Sequence, residues 1–97
     1  MDNKTKLSLI YRFAETMGFE VTNSFIKANI KPAGTLLQDY SIDAIIEAVD
    51  FAKKMIAKEK KFPQQYIPNL ATVVKNIHVW RSLMRLNEKE IKEGKWV

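Results

Sequence analysis

Ser41-Ile42-Asp43-Ala44-Ile45-Ile46-Glu47-Ala48-Val49-Asp50-Phe51-Ala52-Lys53-Lys54-Met55-Ile56 carries one unbroken helical period. Ile42, Ile45, Val49, Ala52 and Ile56 recur at spacings of 3, 4, 3 and 4, which returns every one of them to the same face of a helix. Ser41 is an N-capping residue type, and Asp43 falls in the first turn, where the helix dipole favours a negative charge. The pattern predicts a helix from Ser41 to about Lys60. Glu47, Lys54, Lys58 and Lys61 fall on its far side. Phe51 also points there, with Met55 at its flank, so another segment covers this aromatic or a partner does.

Reading outward toward the N-terminus, Leu7, Ile10, Phe13, Ala14 and Met17 predict a first helix over about Lys6 to Met17, with Gly18 as its stop. Thr22-Asn23-Ser24 offers a second start, for a short helix carrying Phe25, Ile26 and Ile30. Pro32 is expected to interrupt it and to open another short helix to Asp39, with Leu36 and Leu37 inward. Toward the C-terminus, Phe62-Pro63-Gln64-Gln65-Tyr66-Ile67-Pro68 predicts an ordered loop anchored by Phe62, Tyr66 and Ile67. Asn69 then caps a long last helix with a core stripe of Leu70, Val73, Val74, Ile77, Trp80 and Met84. Val79, Leu83 and Leu86 form a second apolar line on roughly the opposite side. Asn87 with Glu90 resembles a capping box that restarts a terminal turn, and residues 94–97 read as a tail. The expectation is one all-α domain over residues 1–97, a compact bundle of four to five helices. Its two long C-terminal helices are joined by a proline-containing loop.

Composition agrees. Three Gly and three Pro in 97 residues are too few for the turns of an all-β fold, and without cysteine there is no disulfide framework or thiolate metal site. The start, Met1-Asp2-Asn3-Lys4-Thr5-Lys6, lacks the apolar core of a signal peptide, and no apolar run reaches the ~18–20 residues of a bilayer span. The expected setting is the cytoplasm of a bacterial host, with no membrane role.

The chemistry of catalysis is missing from the inventory. His78 is the single histidine, and its helical neighbours Lys75, Arg81, Ser82 and Arg85 include no metal-ligand partner. The three glycines are too scattered to cradle a phosphate loop. Asp39, Asp43, Glu47 and Asp50 make an acidic patch, of which dipole complementarity explains Asp43. No enzyme, metal site, cofactor or small-molecule substrate is expected.

Charge is the informative property. Residues 1–50 hold five basic against seven acidic groups, and residues 51–97 hold eleven against four, so a net +5 is concentrated in the second half. Such asymmetry suits a polyanion or an acidic protein surface, and it equally suits a solvated lysine-rich face. Lys53, Lys54, Lys58, Lys60 and Lys61 crowd the end of the third helix, where they also complement its dipole. Lys75, His78, Arg81 and Arg85 share one side of the last helix, unless Arg81 pairs with an acidic group such as Asp50. Candidate nucleic-acid or partner contacts are therefore Lys54, Lys58, Lys61, Lys75, His78, Arg81 and Arg85. Phe51, Val79, Leu83 and Leu86 are candidates for a partner or dimer surface.

Leu37-Gln38-Asp39-Tyr40-Ser41-Ile42-Asp43-Ala44-Ile45-Ile46-Glu47-Ala48-Val49, then Lys60-Lys61-Phe62-Pro63 and Tyr66-Ile67-Pro68-Asn69-Leu70, resembles small helical replication proteins of phages of Gram-positive bacteria. These are the helicase loader/inhibitor family and the C-terminal regions of phage replisome organisers. Trp80 in Ile77-His78-Val79-Trp80 is similar to the closing tryptophan of the organiser pattern. The resemblance spans about residues 36–86. It implies a non-catalytic protein that contacts the replicative helicase or DNA, with the last helix and its preceding loop as the working surface. The chain is shorter than a complete organiser and has no winged-helix portion, which leaves a stand-alone accessory role. Two other readings stay open. One is a small phage inhibitor that blocks a host polymerase, helicase or defence nuclease by protein contact, and the other is a helical homodimer built on Val79, Trp80, Leu83 and Leu86.

Overall fold

In the computed structural model, which describes residues 3–58 and 66–92 (the last four as backbone alone), four helices hold the described chain. They are α1 (Asn3–Met17), α2 (Asn23–Asp39), α3 (Ile42–Lys58) and α4 (Leu70–Lys92). α1 packs on α2 and α3, and α4 packs on the same two helices. α1 and α3 run in the same sense, since Arg12 reaches Asp43 and Thr16 receives Lys53 further along both. α4 runs against α3, because Arg81 meets Ala44 in the first turn of α3. The result is two helical hairpins, α1–α2 and α3–α4, laid side by side. No described helix is long and apolar enough to cross a membrane.

Each helix end has an identifiable cause. α1 stops at Gly18, whose φ of +77 is the left-handed conformation glycine adopts without a Cβ clash. The Phe19 N–H then donates back to the Ala14 carbonyl at 2.9 Å, the long bond of a Schellman stop. The apolar contact that accompanies such a stop is present too: the Phe19 ring meets Phe13 edge-on at 5.8 Å, and both pack on Phe25. Thr22 Oγ1 accepts from Phe25 N to cap α2, Ser41 Oγ accepts from Ala44 N to cap α3, and Asn69 Oδ1 accepts from Thr72 N to cap α4.

The core is formed by Leu9, Ile10, Phe13, Ala33, Leu36, Ile45, Ala48, Val49, Ala52, Ile67, Leu70, Val73, Ile77 and Trp80. The predicted stripes of α1, α3 and α4 are visible in it, with Leu7 and Met17 half-buried at the ends of the α1 stripe, Ile42 and Ile56 half-buried at the ends of the α3 stripe, and Val74 and Met84 half-buried on α4. Leu9 and Ala48 join as neighbours of predicted positions. Trp80 is fully buried, and its indole N–H meets no acceptor among the described residues.

Several expectations are corrected. α1 begins at Asn3, earlier than Lys6. Pro32 does not divide two short helices: α2 is one element of 17 residues with Pro32 inside it. Asn29, Ala33 and Leu36 form one buried line that crosses the proline, so packing holds both halves in register. The freed carbonyl is that of Ala28, on the exposed side of α2. α4 continues through Asn87 without a restart. Arg81 does not pair with Asp50, which takes Lys54 at 2.9 Å, one turn along the same helix. Of the expected loop anchors, Ile67 is buried and Tyr66 is exposed. Lys60, Lys61, Phe62, Pro63 and the tail 94–97 lie outside the described residues.

The two hairpins are tied by Asn29, the one buried polar side chain among the described residues. Its Nδ2 donates to Phe25 O at 2.7 Å, and its Oδ1 accepts from Leu70 N at 2.7 Å. Leu70 is the first residue of α4, so its N–H has no partner within its own helix. A side chain of α2 thus completes the start of α4, alongside the local Asn69 cap.

Candidate functional site

The outer face of α4 is built by subtraction. Leu70, Val73, Ile77 and Trp80 point into the bundle, so the positions on the opposite side of the helix face solvent. Lys75, His78, Ser82 and Arg85 are exposed there, as are Val79 at 36% and Leu86 at 56%. Lys75, Val79, Ser82 and Leu86 follow each other at spacings of 4, 3 and 4, with His78 and Arg85 on the side toward α3. Ser82 Oγ is turned inward to the helix, donating to the His78 carbonyl at 2.9 Å. Lys75, His78 and Arg85 form no ion pair with another described residue, since the pairs there are Arg12–Asp43 and Lys54–Asp50. The stripe is basic and apolar at once.

Two of the predicted α4 residues leave this stripe. Arg81 is half-buried: its Nη1 donates to the Ala44 carbonyl at 3.1 Å, and its guanidinium lies 5.7 Å from the Tyr40 ring centroid. It clamps the α2–α3 junction to α4 through a charge-assisted bond and a cation–π contact. Leu83 is half-buried and packs against the core, unlike Val79 and Leu86 with which its spacing groups it.

The lysines at the end of α3 separate as well. Lys53 Nζ donates to the Thr16 carbonyl at 2.7 Å, a last-turn acceptor of α1 that has no partner in its own helix. Lys54 pairs with Asp50, and Lys58 is exposed in the last turn of α3. Lys61 lies outside the described residues. Phe51 is half-buried and packs against the core, the covered alternative of its two readings.

Two of the four residues of the acidic patch are engaged. Asp43 receives Arg12 Nη1 at 2.6 Å, between α1 and α3, and Asp50 receives Lys54. Arg12, Thr16, Asp43, Ile46, Glu47 and Asp50 line an open groove there of about 410 Å³. Among the described residues no group of three or more His, Asp or Glu side chains is placed to hold a metal ion.

Sequence reasoning missed Asn29, the Tyr40–Arg81 contact and the Arg12–Asp43 bridge. Their partners are 41, 37 and 31 residues apart for Asn29–Leu70, Arg81–Ala44 and Arg12–Asp43, so no local spacing signals them. Comparison with protein-family models, with curated proteins and with solved structures gives no match to this chain.

Proposed function

We propose that this chain is a non-catalytic phage or prophage replication accessory protein that binds DNA, the replicative helicase, or both, through the outer face of α4. The observation that supports the reading is the set Lys75, His78 and Arg85. All three are exposed along one helix face, and none forms an ion pair with another described residue. Arg can grip a phosphate with two N–H groups and Lys supplies a point charge, which is the equipment of backbone contact. The resemblance over residues 36–86 supplies the replication setting.

Val79 and Leu86 favour protein contact as the second reading, with the helicase or a host nucleic-acid machine as its object. Phosphates give exposed valine and leucine nothing to bury, whereas a groove on a protein does. Anisotropy titrations against single- and double-stranded DNA at two salt concentrations separate the readings. Backbone binding weakens as salt rises, and Lys75→Gln with Arg85→Gln flattens the logarithmic salt slope by about 2, near one unit for each lost contact. An absence of binding at low salt removes the DNA half and leaves the protein partner.

A further inference from the structure

A second basic site lies away from α4, where α1 crosses α2. Lys6, Lys31, Gly34, Thr35 and Gln38 line a groove of about 490 Å³ between these helices. Gly34 is its floor. A Cβ at this position would lie 3.1 Å from Lys6 Cε and 3.5 Å from Lys6 Nζ, so the lysine stem rests over bare α2 backbone. Glycine inside a helix costs about 1 kcal/mol against alanine, and here it stands where the Lys6 side chain passes.

Lys6 is half-buried and forms no ion pair with a described residue, and the same holds for the exposed Lys31. Among the described residues no carboxylate lines the groove; Asp39, next in sequence to the lining Gln38, is not part of it. Thr35 Oγ1 donates its proton to the Lys31 carbonyl at 3.3 Å, so the donors that the groove offers are the two ammonium groups and the Gln38 amide. Nitrogen donors on two walls, with no carboxylate among the described lining residues, match an anion that accepts from several directions.

We propose that this groove binds a phosphate oxyanion, presented either by a free phosphate or by a nucleic-acid backbone. The site shares no residue with the outer face of α4, so it stands or falls separately from the function proposed above. The test is an amide chemical-shift titration of the full chain at low ionic strength, with sodium pyrophosphate in one arm and a short single-stranded oligodeoxynucleotide in the other. Saturable shifts centred on the Gly34, Thr35 and Gln38 amides are expected. They weaken roughly tenfold in Lys6→Gln/Lys31→Gln. The groove-filling Gly34→Met, which keeps both lysines, should weaken them similarly. Lys75→Gln/Arg85→Gln should leave them unchanged. Saturation with pyrophosphate alone makes free phosphate the source, and saturation of the same amides by the oligonucleotide makes it the backbone. The dispersion of each variant's spectrum reports its fold. Shifts spread over every lysine-bearing segment, or a Lys6→Gln/Lys31→Gln variant that titrates like the parent protein, would overturn the proposal.

Discussion

Gly18 shows how much one residue can fix. Its positive φ lets the chain turn back at the end of α1, returning the Phe19 N–H to Ala14 and laying Phe19 against Phe13. Nothing lies within 4 Å of a Cβ built there, so the cost of Gly18→Ala is conformational and not a clash. That cost is about 1–2 kcal/mol for an L-residue held in the left-handed region. For a domain of this size each kcal/mol is worth about 4–8 °C in Tm, so thermal melting should show a drop of that order. Lys53 and Arg81 teach the complementary lesson about charge. Both belong to a basic half that invites a reading as binding surface, yet Lys53 satisfies a carbonyl of α1 and Arg81 one of α3. A cation committed to a helix-end or junction carbonyl is no longer a free phosphate donor.

At the scale of the element, α4 has three kinds of surface. Leu70, Val73, Ile77 and Trp80 are core, Leu83 lies at the flank against that core, and Val79 and Leu86 face solvent beside Lys75 and Arg85. The distinction between Leu83 and Leu86 is open to measurement. Leu83→Asp places a carboxylate against packed apolar side chains and should cost about 3 kcal/mol or more, visible as a large loss of Tm in circular dichroism. Leu86→Asp sits in water and should stay within about 0.5 kcal/mol of the parent protein. Equal effects at the two positions would contradict the packing described here. Should Val79 and Leu86 meet a second copy of the chain, light scattering would register a dimer that Leu86→Asp dissolves. α2 shows the same principle from the side of the core. Proline propensity argues for a break at position 32, but the line Asn29, Ala33 and Leu36 is buried on both sides of it. Packing outweighs the missing hydrogen bond when the freed carbonyl is on the wet side.

At the scale of the whole molecule, Asn29 joins the α1–α2 hairpin to the start of α4. Asn29→Leu keeps the number and branching of the side-chain heavy atoms but leaves the Leu70 N–H and the Phe25 carbonyl without that side chain. The expected loss is about 2–4 kcal/mol, one buried bond plus the desolvation of its orphaned partner, measured by urea unfolding. A smaller midpoint shift, within error of the parent, would mean that α4 starts without help from α2. The all-helical class, the stripes of α1, α3 and α4, the Gly18 stop and the Ser41 and Asn69 caps were all legible in the chain, because each depends on residues within a turn or two of one another. The continuity of α2 through Pro32, the burial of Asn29 and the commitments of Arg12, Lys53 and Arg81 were not. Those depend on groups 31 to 41 residues apart that meet once the hairpins are packed. Local pattern sets which faces are apolar and where helices begin and end. Which charged groups remain free for a partner is settled by packing, since a cation's availability depends on what the fold brings within reach of it.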